Sequence, residues 1–473
     1  MNQVRIARIF LISAAVVSLI LTPMNGGRRL MDVPENLLRT KLITSKDVKG
    51  HDEEYIDSKA KTVGEVVPLE KGNKKEDEIR YASFGSSVTW GAALEDRENE
   101  AYAWRLSNFD RKKAKNYGIR ATGPNYPAAC ISTMIGEEVF DVIVLEYFCR
   151  GPEGLMTLAT RIRERFPNAI IIMIKLWSPF QLRDDSVNKN VADFAFDNGF
   201  KRDFIHDPKF KEVILSYGAD KFKYQYRDPE NELTHLFKTV AEKIGAHVVN
   251  MPFSKEADGP NGWLELGDKL LGNDSFHLSA KGHEDLAKQI KAVVHKIGVP
   301  KDAVIGKFHG IDHCHNWIES GVIGKGLKYS SNGRLYKMKN TEKYVLSFFS
   351  DDEKKESSGW IKVSNPSDTE MDLFLAYMTT GPAPSKYPRV EVVRTSNFKK
   401  KYVLDPDALG WGDKHVHIAR IEHIGKLDAG VKHEMVTFRP LDEAEYPFRL
   451  VAAVITPINE NNDEAFAGIG NGN

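Results

Sequence analysis

At 473 residues the chain has room for two or three domains, and a hydrophobic share of 41% is enough to bury cores. Lys+Arg and Asp+Glu both count 66, so no net charge favours nucleic acid or an anionic membrane surface as partner. Three cysteines (Cys130, Cys149 and Cys314) exclude a disulfide framework and leave at most one pair plus a free thiol.

The N-terminus carries Arg5 and Arg8, after which residues 9–24 are uncharged and mostly apolar. That run falls just short of the roughly 17 residues a spanning helix needs at minimum and has the length of a signal-peptide core. The exit at Thr22-Pro23-Met24-Asn25 lacks an obvious small-x-small cleavage site. Residues 1–24 therefore read as a signal peptide or an uncleaved type II anchor, and either implies the secretory pathway. Residues 25–77, rich in charge and poor in aromatics, read as a polar stem. The one glycosylation sequon, Asn273-Asp274-Ser275, is expected to stay unmodified or to have Asn273 buried.

From Arg80 the pattern alternates strand and helix, as a parallel α/β sheet requires. A strand over 80–84 leads through Gly85-Ser86-Ser87 into a helix. A further helix is predicted over 99–113, a strand near 115–121 and a helix ending near 136. Asp141 to Tyr147 and Ala169 to Ile174 are continuous apolar runs typical of buried strands, with a helix at 153–165 between them. Residues 180–230 are polar, aromatic-rich and too long for a simple connection, so they read as an insertion over the site. A helix at 231–244, a strand at 246–250 and a helix at 279–297 complete a five-stranded unit over 78–300.

Beyond Pro300 the texture changes. Residues 301–339 read as a linker. Residues 340–458 hold short β-rich runs separated by turn residues such as Gly381-Pro382, which suggests an all-β sandwich. The Gly- and Asn-rich tail 459–473 reads as disordered.

Two stretches carry chemistry. Tyr81 to Gly91 sets Ser87 on a strand-to-helix turn, with Gly85 allowing the bend. Far downstream, Asp274 and His277 are spaced so that a carboxylate can orient an imidazole, which in turn takes a proton from a serine. The plainer reading is an ordinary turn whose serines cap a helix, and an Asp274 that caps the helix starting near Ser279. His283, one turn into that helix, suits packing or surface exposure better than catalysis.

Together these stretches resemble the SGNH, or GDSL-type, hydrolases over roughly residues 78–300. Gly85-Ser86-Ser87-Val88-Thr89-Trp90-Gly91 corresponds to their Gly-Asp-Ser block, with Ser86 in place of the Asp. Asp274 to His277 matches their Asp-x-x-His, and Leu278-Ser279-Ala280-Lys281-Gly282-His283 continues it. The resemblance implies a flavodoxin-like three-layer α/β fold, with Ser87 as nucleophile, His277 as base and Asp274 as its orienter. Its oxyanion donors are the nucleophile's amide, a glycine corresponding to Gly123, and an asparagine in a Gly-x-Asn-Asp block. Here Arg150 stands near that last place, and an arginine there fits either an anion-binding donor or a lost activity.

Other clusters are weaker. Asp312-His313-Cys314-His315 contains ligand-type residues, but near neighbours rarely all reach one metal. His415 and His417 share one strand face. Trp263, Trp317, Trp360 and Trp411 suit sugar stacking or, more commonly, a core. The expectation is a serine esterase removing acyl groups, acetyl among them, from a glycan or small ester, with no metal or organic cofactor and no nucleic-acid partner. The membrane enters only through an uncleaved N-terminus. A glycan O-acyltransferase using the same serine, or an inactive glycan-binding scaffold, are the alternatives.

Overall fold

The computed structural model describes residues 74–120, 122–148, 154–176, 180–183, 188–216, 222–224, 232–251, 259–308, 310–318, 320–324, 326–338, 343–348, 358–380, 386–407 and 417–457. The expected signal or anchor (1–24), nearly all of the stem (25–77), Arg150, His415, Trp411 and the tail (459–473) lie outside these residues.

Five parallel strands form the first sheet: β1 Tyr81–Gly85, β2 Ala114–Asn116, β3 Val142–Glu146, β4 Ile170–Lys175 and, after an excursion, β8 His247–Asn250. Their order is β2-β1-β3-β4-β8. Numbered along the parallel set this is 2-1-3-4-5, the flavodoxin-like winding, in which ligands sit at the carboxyl ends of the strands where the order reverses. β1 and β3 are the two strands on either side of that reversal.

Side chains alternate across the sheet and are buried on both faces. On one face Tyr81, Val142, Val144, Ile170 and Ile172 meet Leu286, Ile290 and Val294 of helix Ala280–Ile297. On the other, Phe84, Ile143, Leu145 and Ile171 meet residues of helices Asn125–Ile135, Leu155–Arg165 and Glu232–Ile244. This makes three layers.

The described residues of the excursion at 180–230 form regular elements. β5 Phe180–Arg183, β6 Asn188–Asn190 and β7 Phe222–Tyr224 form a small antiparallel sheet ordered β6-β5-β7, with helices Val191–Asp197 and Pro208–Ser216 within the same stretch. Phe204, Phe210 and Ile214 from this stretch are buried in the same core as the last helix.

The second half is a sandwich of two antiparallel sheets. One runs β10 (Lys328–Tyr329), β13 (Gly359–Val363), β18 (Glu434–Pro440), β15 (Val390–Arg394), β16 (Asn397–Leu404). The other runs β11 (Gly333–Lys337), β12 (Tyr344–Phe348), β19 (Leu450–Pro457), β14 (Met371–Thr380), β17 (His417–Leu427), with β9 (His315–Asn316) pairing β19. Trp317, Phe348, Leu373, Leu375, Val392 and Phe438 fill the space between the sheets. The outer face of the second sheet packs on the α/β layers, where Phe374, Ala376, Met378 and Val454 meet Tyr126, Ala129 and Cys130. β14 is therefore buried along its whole length, which explains its unbroken apolar stretch from Leu373 to Met378.

Several expectations need correction. The stretch 301–339 is not a linker: it contributes β9, β10 and β11 to the sandwich. Cys314 in this stretch pairs with Cys130 of helix Asn125–Ile135, their Cα atoms 5.7 Å apart. The helix predicted over 99–113 is two single turns, Arg97–Glu100 and Tyr102–Arg105. Tyr102 and Leu106 are buried, but Asn108 and Phe109 take positive φ (53° and 67°) and end it. The strand expected near 115–121 covers only Ala114–Asn116. Helix Gly259–Leu270 was not anticipated.

Candidate active site

Ser87 opens helix Ser87–Trp90 at the carboxyl end of β1 and is 7% exposed. The turn needs glycine at position 85: a Cβ there would run into Thr89 Oγ1 and come within 2.7 Å of Glu146 Oε2. Asn116 at the end of β2 holds the helix from the other side, its side-chain amide donating to Thr89 O at 2.7 Å.

The partner turn lies between Leu270 and Ser279. Gly272 N–H donates to His277 O at 2.8 Å and Ser275 N–H to Gly272 O at 2.9 Å, closing a tight loop. Ser275 sits at φ 59°, a left-handed conformation that costs a non-glycine residue free energy. Its hydroxyl, 2.9 Å from the Ile205 amide, accepts a hydrogen bond from the inserted stretch. Phe276 packs near Phe196 and Phe204 from the same stretch, with ring centroids 6.0 and 5.8 Å away. The insertion thus buttresses the turn that presents the histidine.

Asp274 serves two ends of that turn. Its Oδ1 accepts from the amides of Phe276 (3.0 Å) and His277 (2.9 Å), while Oδ2 meets His277 Nδ1 at 2.6 Å. The other ring nitrogen, His277 Nε2, is 2.8 Å from Ser87 Oγ. Three side chains from opposite ends of a 190-residue separation thus form one hydrogen-bonded line. Burial raises the Asp274 carboxyl pKa, but the bond to His277, its charge and the two amides outweigh burial and hold it at about 2. The carboxylate is therefore ionised at neutral pH and keeps the imidazole proton on Nδ1, leaving Nε2 to accept from the serine.

Asp274 does not cap the following helix. That role falls to Ser279, whose hydroxyl accepts from Gly282 N–H at 3.2 Å. His283 is fully buried, its Nδ1 accepting from Tyr102 N–H at 3.2 Å and its ring stacked on Tyr102. Burial, then the His277 and Arg105 charges, push its pKa down to about 3. Asn273 is exposed, so of the two expectations for the sequon only burial fails.

Of the oxyanion candidates, Gly123 is half-buried just ahead of helix Asn125–Ile135, and Arg150 lies outside the described residues. Among the described residues none accepts a hydrogen bond from the Ser87 amide.

Sequence reasoning missed the buried shell beneath Ser87. Glu146, at the end of β3 and 0% exposed, faces Ser86 and Thr89, and Thr89 Oγ1 lies 2.8 Å from the Tyr102 hydroxyl. The available signal was an acidic residue closing an otherwise apolar run at the carboxyl edge of the sheet. Trp90 was also passed over: the guanidinium groups of Arg97 and Arg120 lie 4.1 and 4.0 Å from its ring centroid.

Elsewhere, Asp312 accepts from the amides of Ser132 and Thr133 (both 2.9 Å) and pairs with Arg161 at 3.0 Å, while Cys314 is disulfide-bonded. These contacts dock the sandwich on the α/β layers. Trp317 is a core residue, its Nε1–H donating to Leu450 O at 2.9 Å. Among the described residues no helix is long and apolar enough to cross a membrane, and no group of three acidic, His or Cys side chains is arranged to hold a metal ion.

No protein-family model matches the sequence, and no curated protein matches it. Among solved structures the chain is similar to a two-domain esterase (CEX) active on acetylated mannans, co-crystallised with mannopentaose. The identity is 12% over 81% of this chain and 92% of that one, with a TM-score of 0.45. A second structure of a two-domain esterase of that description gives 13%, the same coverage and 0.44. A family 35 carbohydrate-binding module from Clostridium thermocellum is similar over 31% of this chain and 98% of its own, at 11% identity and a TM-score of 0.20.

Proposed function

We propose that the chain is a serine ester hydrolase of the SGNH type, removing acyl groups, acetyl among them, from a glycan or other small ester. One observation carries this reading: the line from Asp274 Oδ2 to His277 Nδ1 (2.6 Å) and from His277 Nε2 to Ser87 Oγ (2.8 Å). It lies at the carboxyl edge of a parallel sheet, where such folds bind ligands.

In this reading Ser87 Oγ attacks the acyl carbon while its proton passes to His277 Nε2. Negative charge collects on the carbonyl oxygen, with the Ser87 amide as one donor to it and Gly123 and Arg150 as further candidates. Collapse breaks the bond to the alcohol oxygen, which leaves with the proton from His277. Water then gives a proton to the same nitrogen and attacks the acyl carbon, and the bond to Ser87 Oγ breaks as the serine takes that proton back and the acid leaves. Asp274 remains ionised and holds the imidazolium in place.

The disulfide between Cys130 and Cys314 supports folding in an oxidising compartment, in keeping with the secretory route expected from residues 1–24.

The deciding experiment compares wild type with Ser87→Ala on 4-nitrophenyl acetate and on an acetylated polysaccharide, measuring released acetate. The variant is expected to lose at least about 1,000-fold in turnover. Wild-type turnover by the variant would end the serine mechanism. Acetyl recovered on an added sugar rather than in water would move the assignment to an acyltransferase.

A further inference from the structure

The buried acidic group beneath the nucleophile has no part in the cycle above. Glu146 is fully buried, and the parallel pairing of β1 with β3 sets it opposite Gly85, so its carboxyl rises into space that only a glycine at 85 leaves open. Oε2 lies 3.0 Å from Ser86 N, 3.2 Å from Thr89 N, 3.0 Å from Thr89 Oγ1 and 3.3 Å from Ser86 Oγ; Oε1 lies 3.4 Å from Ser86 Oγ. Both amides can only donate and both hydroxyls are able to, which suits an ionised carboxylate as the common acceptor. With Thr89 donating to Glu146, the Tyr102 hydroxyl at 2.8 Å donates to Thr89 in turn, and the chain of bonds runs one way.

These bonds bracket the serine. Ser86 N precedes Ser87 and Thr89 N follows it by two residues, so one oxygen on β3 grips the backbone on both sides of Ser87. These acceptor contacts fall on the segment that aims Ser87 Oγ at His277 Nε2.

We infer that Glu146 is a positioning residue for the nucleophile: its carboxylate fixes the backbone of 86–89 so that the Ser87 hydroxyl and amide face the reacting ester. The inference rests on Ser87 being the nucleophile. Ser86 Oγ is already within 3.4 Å of both carboxyl oxygens, so an aspartate at 86 sets a carboxylate in nearly the same space.

The test uses the full chain and 4-nitrophenyl acetate, with folding followed by circular dichroism. Glu146→Gln, nearly isosteric but uncharged, is expected to lower kcat about 10- to 100-fold with KM little changed, as for a reacting group displaced by up to about 1 Å. Labelling of Ser87 by a phosphonate probe is expected to slow in parallel. Adding Ser86→Asp to that variant is expected to recover at least about tenfold in kcat, whereas Ser86→Asp alone crowds two carboxyl groups and lowers it. A folded E146Q with wild-type kcat overturns the inference, as does a double variant that recovers nothing. If E146Q does not fold, Glu146→Asp replaces it, drawing the carboxyl back by one methylene, and wild-type kcat in a folded E146D likewise overturns it. Ser87→Ala separates the two levels: activity surviving that substitution removes the serine reading itself, while loss there with no effect at Glu146 removes only the positioning role.

Discussion

Asp274→Asn is the substitution whose outcome the geometry specifies most tightly. Asp274 Oδ1 accepts two backbone amides, from Phe276 at 3.0 Å and His277 at 2.9 Å. An asparagine must therefore turn its oxygen to those amides, and its NH2 group falls where Oδ2 met His277 Nδ1. A donor there requires Nδ1 to accept, which moves the ring proton to Nε2. Nε2–H then points at Ser87 Oγ and cannot take its proton. Turnover on 4-nitrophenyl acetate is expected to fall on the order of 10,000-fold, the cost of the wrong tautomer in Ser-His-Asp enzymes, or about 5.5 kcal/mol of barrier. Because the turn keeps both amide bonds, unfolding free energy is expected to drop by only about 1.5–3 kcal/mol, the worth of one charge-assisted bond. The assay is kcat and kcat/KM at pH 7–8 beside a urea unfolding curve. A well-folded D274N within tenfold of wild-type turnover would refute the reasoning.

Two further outcomes follow from buried groups outside the Ser87–His277–Asp274 line. The disulfide between Cys130 and Cys314 closes a 184-residue loop, so Cys130→Ser with Cys314→Ser should lower unfolding free energy by up to about 5 kcal/mol in the chain-entropy model, read by denaturant titration. An unchanged midpoint would show that the apolar contacts and the Asp312–Arg161 pair hold the two halves together without the disulfide. His283 binds its proton near pH 3 in the folded chain against 6.5 when unfolded, so stability is intact above pH 6.5 and falls as pH drops toward 3. The slope is about 1.4 kcal/mol per pH unit while only the unfolded chain is protonated. His283→Asn keeps an acceptor for Tyr102 N–H and should flatten that part of the pH–stability curve; a variant with the wild-type slope would assign the acid sensitivity to other groups.

The parallel sheet was legible because its strands are buried on both faces, and Val142 to Leu145 and Ile170 to Ile174 show it as unbroken apolar runs. The sandwich was legible in outline but not at its start, because β9, β10 and β11 are short and their turn residues resemble a linker. The Asp274–His277 turn was legible, since its two side chains meet at close spacing along the chain. Glu146 was not, because a carboxylate ending a strand looks alike whether it meets water or a buried backbone.

By itself the chain order determined which groups were available: a serine on a glycine turn, and an aspartate three residues before a histidine. Those are local properties, set by φ freedom at Gly85 and by the reach of one tight turn. Only the tertiary structure decided that the two stretches meet, that the insertion and Ser275 brace the second, and that Glu146 lies under the first. Contacts across 190, 70 and 60 residues depend on strand order and packing, which no short stretch of sequence encodes.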